Sequence, residues 1–262
     1  MIGALAPAAA QTPPQDDPDM DVNLAQPDFT LVALPTTLRV PRHKSAFRVT
    51  HRFSRSLGQG DFGSLVEDFF GLDSGAQIGL EYRYGLFRGT QIGFHRTSNR
   101  TIEFFGQHEV KAQSASFPFT VDALASIDGT NNFRDSYSPT LGAIISRTVA
   151  ERAAFYLEPI WVNNSSPDPS ELVDDNSTVF IGVGARLRIR PTVYLAIEGS
   201  PRVAGHDPGA TQIGIGLEKR SGGHIFQLTI TNGIGTTYGQ IARGASNTED
   251  WHLGFSISRK FY

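Results

Sequence analysis

Cysteine is absent from all 262 residues, which removes disulfide scaffolds, thiol nucleophiles, iron–sulfur clusters and Cys-bound zinc from consideration. A basic excess is missing too. The 23 Lys and Arg against 26 Asp and Glu give a formal net charge of −3, too little positive charge to displace counterions from a nucleic acid. No stretch comes near the roughly eighteen consecutive apolar residues of a membrane-spanning helix, and helical periodicity is almost nowhere to be found. The mean hydropathy of −0.20 resembles that of a soluble chain. An average hides alternation, however, and a strand with one apolar and one polar face crosses a bilayer at modest mean hydropathy.

The first residues do not look like fold material. Met1 to Ala10 reads MIGALAPAAA, small and apolar, and ends in the A-x-A pattern (Ala8, Ala10) of a signal-peptidase site. No Lys or Arg precedes the apolar run, so 1–10 reads as a truncated signal peptide whose true start lies upstream, cleaved before Gln11. QTPPQDDPDMD follows, too rich in Pro and Asp to bury a core. Residues 11–44 are therefore expected as a disordered, flexible lead-in. Folded structure would begin near Phe29, and Phe29 to Val40, with Leu31, Val32 and Leu34, is placed to cap the periplasmic mouth or pair at an edge.

From Ser45 onward a period of two dominates. Val179, Ile181, Val183, Ala185, Leu187 and Ile189 point one way, and Thr178, Phe180, Gly182, Gly184, Arg186, Arg188 and Arg190 the other. The same alternation sets Ile78, Leu80, Tyr82 and Tyr84 against Gln77, Gly79, Glu81 and Arg83, and Phe226, Leu228 and Ile230 against Gln227, Thr229 and Thr231. Twelve such runs are predicted, near 45–54, 76–84, 90–98, 101–111, 117–127, 140–149, 153–163, 178–189, 193–201, 211–219, 224–232 and 250–262.

The links between these runs alternate as well. Gly85 to Gly89, Ala150 to Arg152, Arg190 to Thr192 and Arg220 to Gly223 are tight, whereas 55–75, 128–139, 164–177, 202–210 and 233–249 are longer; the 98–101 link departs from the trend. Alternating short and long links define an all-β fold: a transmembrane up-and-down antiparallel β-barrel of about 12 strands over residues 45–262, with short periplasmic turns and long outer loops. An open sheet that long would curl or leave exposed edges.

The polar face is charged to a degree that a sandwich, whose inner face is apolar, would not tolerate. Arg48, Arg52, Glu81, Arg83, His95, Glu103, Glu109, Asp122, Glu158, Arg186, Arg188, Glu198 and Glu218 are the lumen-lining candidates. Trp251, Phe255, Ile257 and Phe261 share the apolar face of the last strand and form a C-terminal signal of the kind read by barrel-insertion machinery, although Arg259 interrupts that face and Tyr262 follows one step out of phase. Aromatics near strand ends, such as Tyr82, Tyr84, Phe87 and Trp161, suit the headgroup layer of an outer membrane.

The stretches LPTTLRVPRHKSAFRVTHRFSR, FFGLDSGAQIGLEYRYGL and TQIGFHR resemble an uncharacterised family of bacterial outer-membrane β-barrels found mainly in Bacteroidota and related phyla. The likeness is most specific from Leu34 to Ala112, at His51-Arg52-Phe53, Phe70-Gly71-Leu72-Asp73 and Gly79-Leu80-Glu81-Tyr82. It implies a barrel in the bacterial outer membrane and no reaction, cofactor or ligand.

Twelve strands fall between the about eight that leave an interior filled with side chains and the sixteen or more that leave an aqueous channel. The expected function is a narrow pore for small polar solutes or ions; the alternative is a blocked barrel that holds another envelope protein. Arg186 and Arg188 are expected to pair with acids on neighbouring strands. In the 55–75 link, Leu65, Phe69, Phe70 and Leu72 lie on a segment apolar enough for a helical turn, and are expected to fold inward as a plug, the alternative being a hydrophobic patch presented to a partner. A hydrolase reading fails on spacing, because His95 and Ser98 of one strand point to opposite faces and cannot act as base and nucleophile. Asp168 to Asp175 and His206-Asp207 lack the ligand spacing of a calcium loop, and no metal site is expected. Gly182-x-Gly184 and Gly214-x-Gly216 lie within strands, where they relieve crowding and do not cradle phosphate.

Overall fold

The computed structural model of the chain describes residues 23–166, 176–207 and 209–262. The signal-peptide reading and the acidic Asp168 to Asp175 stretch lie outside these residues. Strand alternation produces a closed sheet of twelve antiparallel strands: β1 (Ser45–Phe53), β2 (Ala76–Phe87), β3 (Thr90–Thr97), β4 (Ile102–Lys111), β5 (Thr120–Gly129), β6 (Asp135–Val149), β7 (Ala153–Asn163), β8 (Ser177–Arg190), β9 (Val193–Ser200, resumed as Arg202–Gly205 after Pro201), β10 (Gln212–Ser221), β11 (His224–Thr231) and β12 (His252–Phe261). Each strand pairs with its neighbour in sequence, and β1 closes on β12 from Ser45 opposite Phe261 to Arg52 opposite Gly254. No backbone edge is left open, as hydrocarbon requires. Among the described residues no helix is long and apolar enough to cross a membrane.

Alternation sets the two faces of the wall. Ile78 and Leu80 of β2 are exposed, while Gln77, Glu81 and Arg83 beside them are buried. Ile215 and Leu217 of β10 and Phe226, Leu228 and Ile230 of β11 likewise face out. Tight turns gather at the end where β1 starts and β12 finishes, and three register shifts, at Gly85/Phe87, Glu109/Lys111 and Arg188/Arg190, occupy the same rim, a usual place for bulges.

Two elements run past their expected limits. β6 begins at Asp135, so the link expected over 128–139 shrinks to 130–134. Asn131 and Asn132, at φ 49° and 60°, make the left-handed turn that a tight hairpin favours, and Pro139 pairs with Ile127 of β5 below the point where β7 joins at Thr140, so its missing N–H breaks no ladder. β9 resumes beyond Pro201 and still pairs with β8.

The lead-in also departs from expectation. From Asn23 onward the chain is folded into the barrel, with Ala25, Phe29, Leu31, Val32, Leu34 and Val40 each at most 3% exposed. It neither caps the mouth from outside nor adds an edge strand. It turns back on itself inside the lumen, with Thr30 bridged to Pro35 and the Leu31 N–H donating to the Leu34 carbonyl at 2.8 Å. A second intrusion comes from the opposite end, where the link after β11 carries a short helix, Tyr238–Arg243, with Tyr238, Ile241 and Ala242 buried. Leu31 and Leu34 of the hairpin and Tyr238, Ile241 and Ala242 of the helix share one apolar cluster with Ile160 and Phe180 of the wall.

Leu65, Phe69, Phe70 and Leu72 do not form the plug. They belong to a helix, Phe62–Glu67, and a following turn, Phe69–Ser74, where Phe69, Phe70 and Leu72 are 68%, 40% and 56% exposed. The lumen they were expected to enter is occupied by the hairpin. This excursion is tied down from outside by Arg55, which donates to the Ser64 carbonyl at 2.8 Å and to Asp68 at 2.9 Å. Hydrogen bonds from Ser74 and Arg55 hold the Asp68 carboxyl below the usual carboxylate range.

Candidate functional site

The tip of the hairpin meets the densest polar region of the wall. Val32, Ala33 and Leu34 present successive backbone N–H groups on one side of a tight turn, and all three converge on Glu198 of β9, at 2.8, 2.8 and 3.0 Å. A carboxylate is the natural occupant of such a concave row of donors. Carbonyls of the same segment are met by wall donors. Arg52 reaches the Val32 carbonyl at 2.8 Å, Arg186 the Asp28 carbonyl at 3.1 Å and the Thr30 carbonyl, Gln227 the Leu31 carbonyl, and Gln107 the Thr36 carbonyl at 2.8 Å. Arg48 bonds Asp28 at 2.8 Å and also contacts the Thr30 hydroxyl.

Three inward-facing glycines make room for the side chains of this turn. A Cβ added to Gly184 would collide with Leu31 Cδ1, one on Gly182 would stand 3.0 Å from Leu34 Cδ1, and one on Gly214 would stand 2.9 Å from Val32 Cγ1. Phe29 sits between two cations: Arg83 at 5.5 Å and Lys260 at 5.3 Å from its ring centre, a favourable arrangement for a desolvated aromatic. Higher up, Thr37 and Ser146 share a hydroxyl contact at 2.6 Å, and the Tyr156 hydroxyl donates to Gln26 at 2.9 Å.

The helix of the second intrusion is capped by Thr237, whose side chain accepts from the Gln240 N–H while Gln240 returns a bond to the cap backbone, a reciprocal arrangement that satisfies two helix-end donors. Thr237 donates to Asp128 at 2.7 Å, and the Tyr238 N–H donates to Glu103 at 3.0 Å. Arg243 donates to the Ser165 carbonyl at 2.9 Å. The two lumen carboxylates at that end therefore hold the inserted loop.

Of the predicted lumen residues, Arg48, Arg52, Arg186, Glu198 and Glu218 converge on the hairpin, and Glu103 holds the helix, to which His95 comes near through Thr236. Glu81 pairs with Arg83, and Asp122 accepts from Gln107 at 2.6 Å. Arg186 is ion-paired with Glu218 of β10 at 2.9 Å, both side chains fully buried; the partner lies two strands away, not on a neighbouring strand as expected. Arg188, by contrast, has no acidic partner among the described residues; it lies at the short-turn rim and reaches the Pro191 carbonyl at 3.3 Å. Glu109, on the same rim, pairs with Arg39 at 2.6 Å. Glu158 stands apart: its residue is fully buried and neither carboxylate oxygen has a hydrogen-bond partner among the described residues. On the last strand Phe255, Ile257 and Phe261 take outward positions, and Trp251 lies just before the strand.

Asp28, Gln107, Gln227, Tyr238 and Gln240 were not singled out by sequence. Gln107 and Gln227 occupy inward positions of the alternation, where neutrality concealed their role. The apolar run Phe29-Thr30-Leu31-Val32-Ala33-Leu34, bracketed by Pro27 and Pro35, was the available signal for a segment buried on all sides. A concavity of about 790 Å³ is lined by Tyr82, Phe94, Phe104, Gly106 and Ala125, with Phe94 and Phe104 on the exposed face of the wall.

Residues 28–261 match the family described as a membrane bound beta barrel domain (DUF5777), and the chain belongs to that family. No curated protein matches it significantly. Among solved structures it is similar to the KdgM porin determined with disordered oligogalacturonate, at 7% identity over 84% of this chain and 99% of that one, TM-score 0.55. It is also similar to the NanC porin, at 9% identity over 84% and 99%, TM-score 0.55, and to outer membrane phospholipase A from Escherichia coli, at 11% identity over 84% and 94%, TM-score 0.48. At these identities the likeness to the two porins is one of fold. The protein is a porin-like β-barrel of the outer membrane. The hairpin enters from the short-turn mouth and the helix from the mouth with the long links, which in a barrel of the outer membrane are as a rule the periplasmic and the external mouths.

Proposed function

We propose that this barrel is a narrow, non-enzymatic pore for small polar solutes or ions, closed in the present conformation by its own N-terminal hairpin. One observation carries this reading. The charged wall groups that would line an open bore, Arg52, Arg186 and Glu198, bind main-chain atoms of a segment that adds no strand to the barrel and precedes β1. Withdrawal of residues 23–40 breaks no strand ladder and uncovers charged wall groups of both signs beside the apolar patch of Ile160 and Phe180, leaving the outer helix as the second element to move. A barrel meant to stay filled has no need of that, since apolar side chains fill a core at lower desolvation cost than charges do. The porins that share its fold support the same reading, and His95 and Ser98 offer no hydrolase pair, because Ser98 bonds the Ile78 N–H and Ala76 carbonyl of the neighbouring strand while His95 is buried inward.

The inserted outer helix favours a second reading, a permanently blocked barrel that docks another envelope component. Planar-bilayer recording on two full-length proteins decides between them. The wild-type chain is expected to be nearly silent, and the Leu31→Asp/Leu34→Asp variant, which sets two new carboxylates against Glu158 and Glu198, is expected to show reproducible single-channel steps. A folded, inserted variant that stays silent removes the pore and leaves the docking barrel.

A further inference from the structure

The geometry points to a binding site in the bore for short peptides that carry a free amino terminus and an apolar first residue. This rests on the pore reading in one respect, that the hairpin can leave.

The wall recognises peptide main chain. Glu198 takes three backbone N–H groups, while Arg52, Gln227 and Gln107 donate to the carbonyls of Val32, Leu31 and Thr36. Donors and acceptors are thus set out for any segment of similar backbone course, whatever its side chains. The Gly182 dent takes the apolar side chain of Leu34, so a residue at that position is selected as apolar through shape; the dents at Gly184 and Gly214 hold Leu31 and Val32 of the hairpin.

Glu158 supplies what the hairpin leaves unmet. A Cβ on Gly182 would stand 3.2 Å from Glu158 Oε2 and 3.0 Å from Leu34 Cδ1, so this carboxylate borders the dent that Leu34 fills. Its two oxygens have no partner among the described residues. Inside the hairpin Leu34 has one N–H, and it is spent on Glu198 at 3.0 Å. A peptide whose first residue stood at that position would bring an ammonium with three protons and a full positive charge. That charge would keep a bond to Glu198, now charge-assisted, and stand beside the dent that Glu158 borders. No group of the hairpin offers that, which is why a free amino terminus and not an internal segment is the better fit.

The probe is Leu-Pro-Thr-Thr, the sequence of residues 34–37, with a free or an acetylated amino terminus. Its binding to the folded, full-length Leu31→Asp/Leu34→Asp protein is measured by calorimetry and by block of the conducting steps. The free peptide is expected to bind saturably and to block. Acetylation, or Glu158→Gln, is expected to weaken it about tenfold or more, as loss of a buried charge-assisted contact requires. Equal binding of the acetylated form, indifference to Glu158→Gln, or no binding to folded protein each overturns the site. Should the double variant not fold, a Val32→Cys chain, whose thiol is its only one, reports the same competition. Excess free peptide then speeds thiol labelling by displacing the hairpin and acetylated peptide does not; no acceleration overturns the site. Channel steps without peptide block refute the site and spare the pore, whereas peptide binding to a silent barrel does the reverse.

Discussion

Glu198→Gln tests whether the hairpin is latched at its tip. In the native arrangement Oε2 accepts from the Val32 and Leu34 N–H groups and Oε1 from Ala33. Hydrogen bonds to a charged group contribute about 1.5–3 kcal/mol each and neutral ones about 1 kcal/mol. A glutamine keeps one acceptor oxygen and turns an NH2 group towards the remaining N–H, so one bond is lost and two are reduced to neutral strength. Relief of the carboxylate's burial offsets part of this, leaving a net loss of about 2–3 kcal/mol in the closed state. That corresponds to a rise of about 30- to 150-fold in the open population. Because the chain has no cysteine, Val32→Cys gives a single buried reporter, and its maleimide labelling rate follows the open population when opening is fast relative to labelling. The prediction is that Glu198→Gln accelerates labelling at least about 30-fold, while Glu158→Gln, which removes no hydrogen bond, leaves it unchanged or slightly slower. A folded Glu198→Gln protein that labels at the parent rate would refute the latch.

Three further outcomes follow from the same contacts. Gly214→Val drives a side chain into Val32, to which the three atoms nearest an added Cβ all belong, and overpacking of about 1–3 kcal/mol is expected to push the hairpin out and raise channel activity, with the strand ladder intact by circular dichroism. Arg186→Ala leaves Glu218 buried without its ion pair, a loss of about 3–5 kcal/mol that lowers the urea midpoint of the folded barrel; an unchanged midpoint would show that the pair adds nothing. Thr237→Ala removes the helix cap and the bond to Asp128, a loss of about 1 kcal/mol or more, read as faster tryptic cleavage after Arg243 from the outer side.

The barrel was legible because the wall obeys one local rule. With lipid on one face and a polar interior on the other, every strand must alternate, and a period of two survives in sequence even where boundaries blur. The limits of β6 were hidden by Pro139, which sequence reading takes as a break; it is tolerated because β7 has not yet joined at that level. The plug was harder for a physical reason. A segment surrounded by wall needs no periodicity at all, so Phe29 to Leu34 carries none, whereas the Leu65 to Leu72 stretch has the look of an amphipathic helix and ends up outside on a loop.

Charge explains the rest. Sequence alternation sets Glu103, Glu158, Glu198 and Glu218 on the polar face, and all four are buried, yet the pattern cannot say what each meets, because partners come from segments far along the chain. Glu198 finds backbone 164 to 166 residues away, and Glu103 a helix N-terminus 135 residues away. A wall that paired only with itself would have shown its logic strand by strand, as Glu81 and Arg83 do. Much of this wall instead bonds to two inserted segments, whose own sequences carry no trace of the strands that hold them. Among the described residues, Glu158 is buried with neither carboxylate oxygen partnered, and on the proposed reading that cost makes the closed state easier to exchange for an open, occupied one.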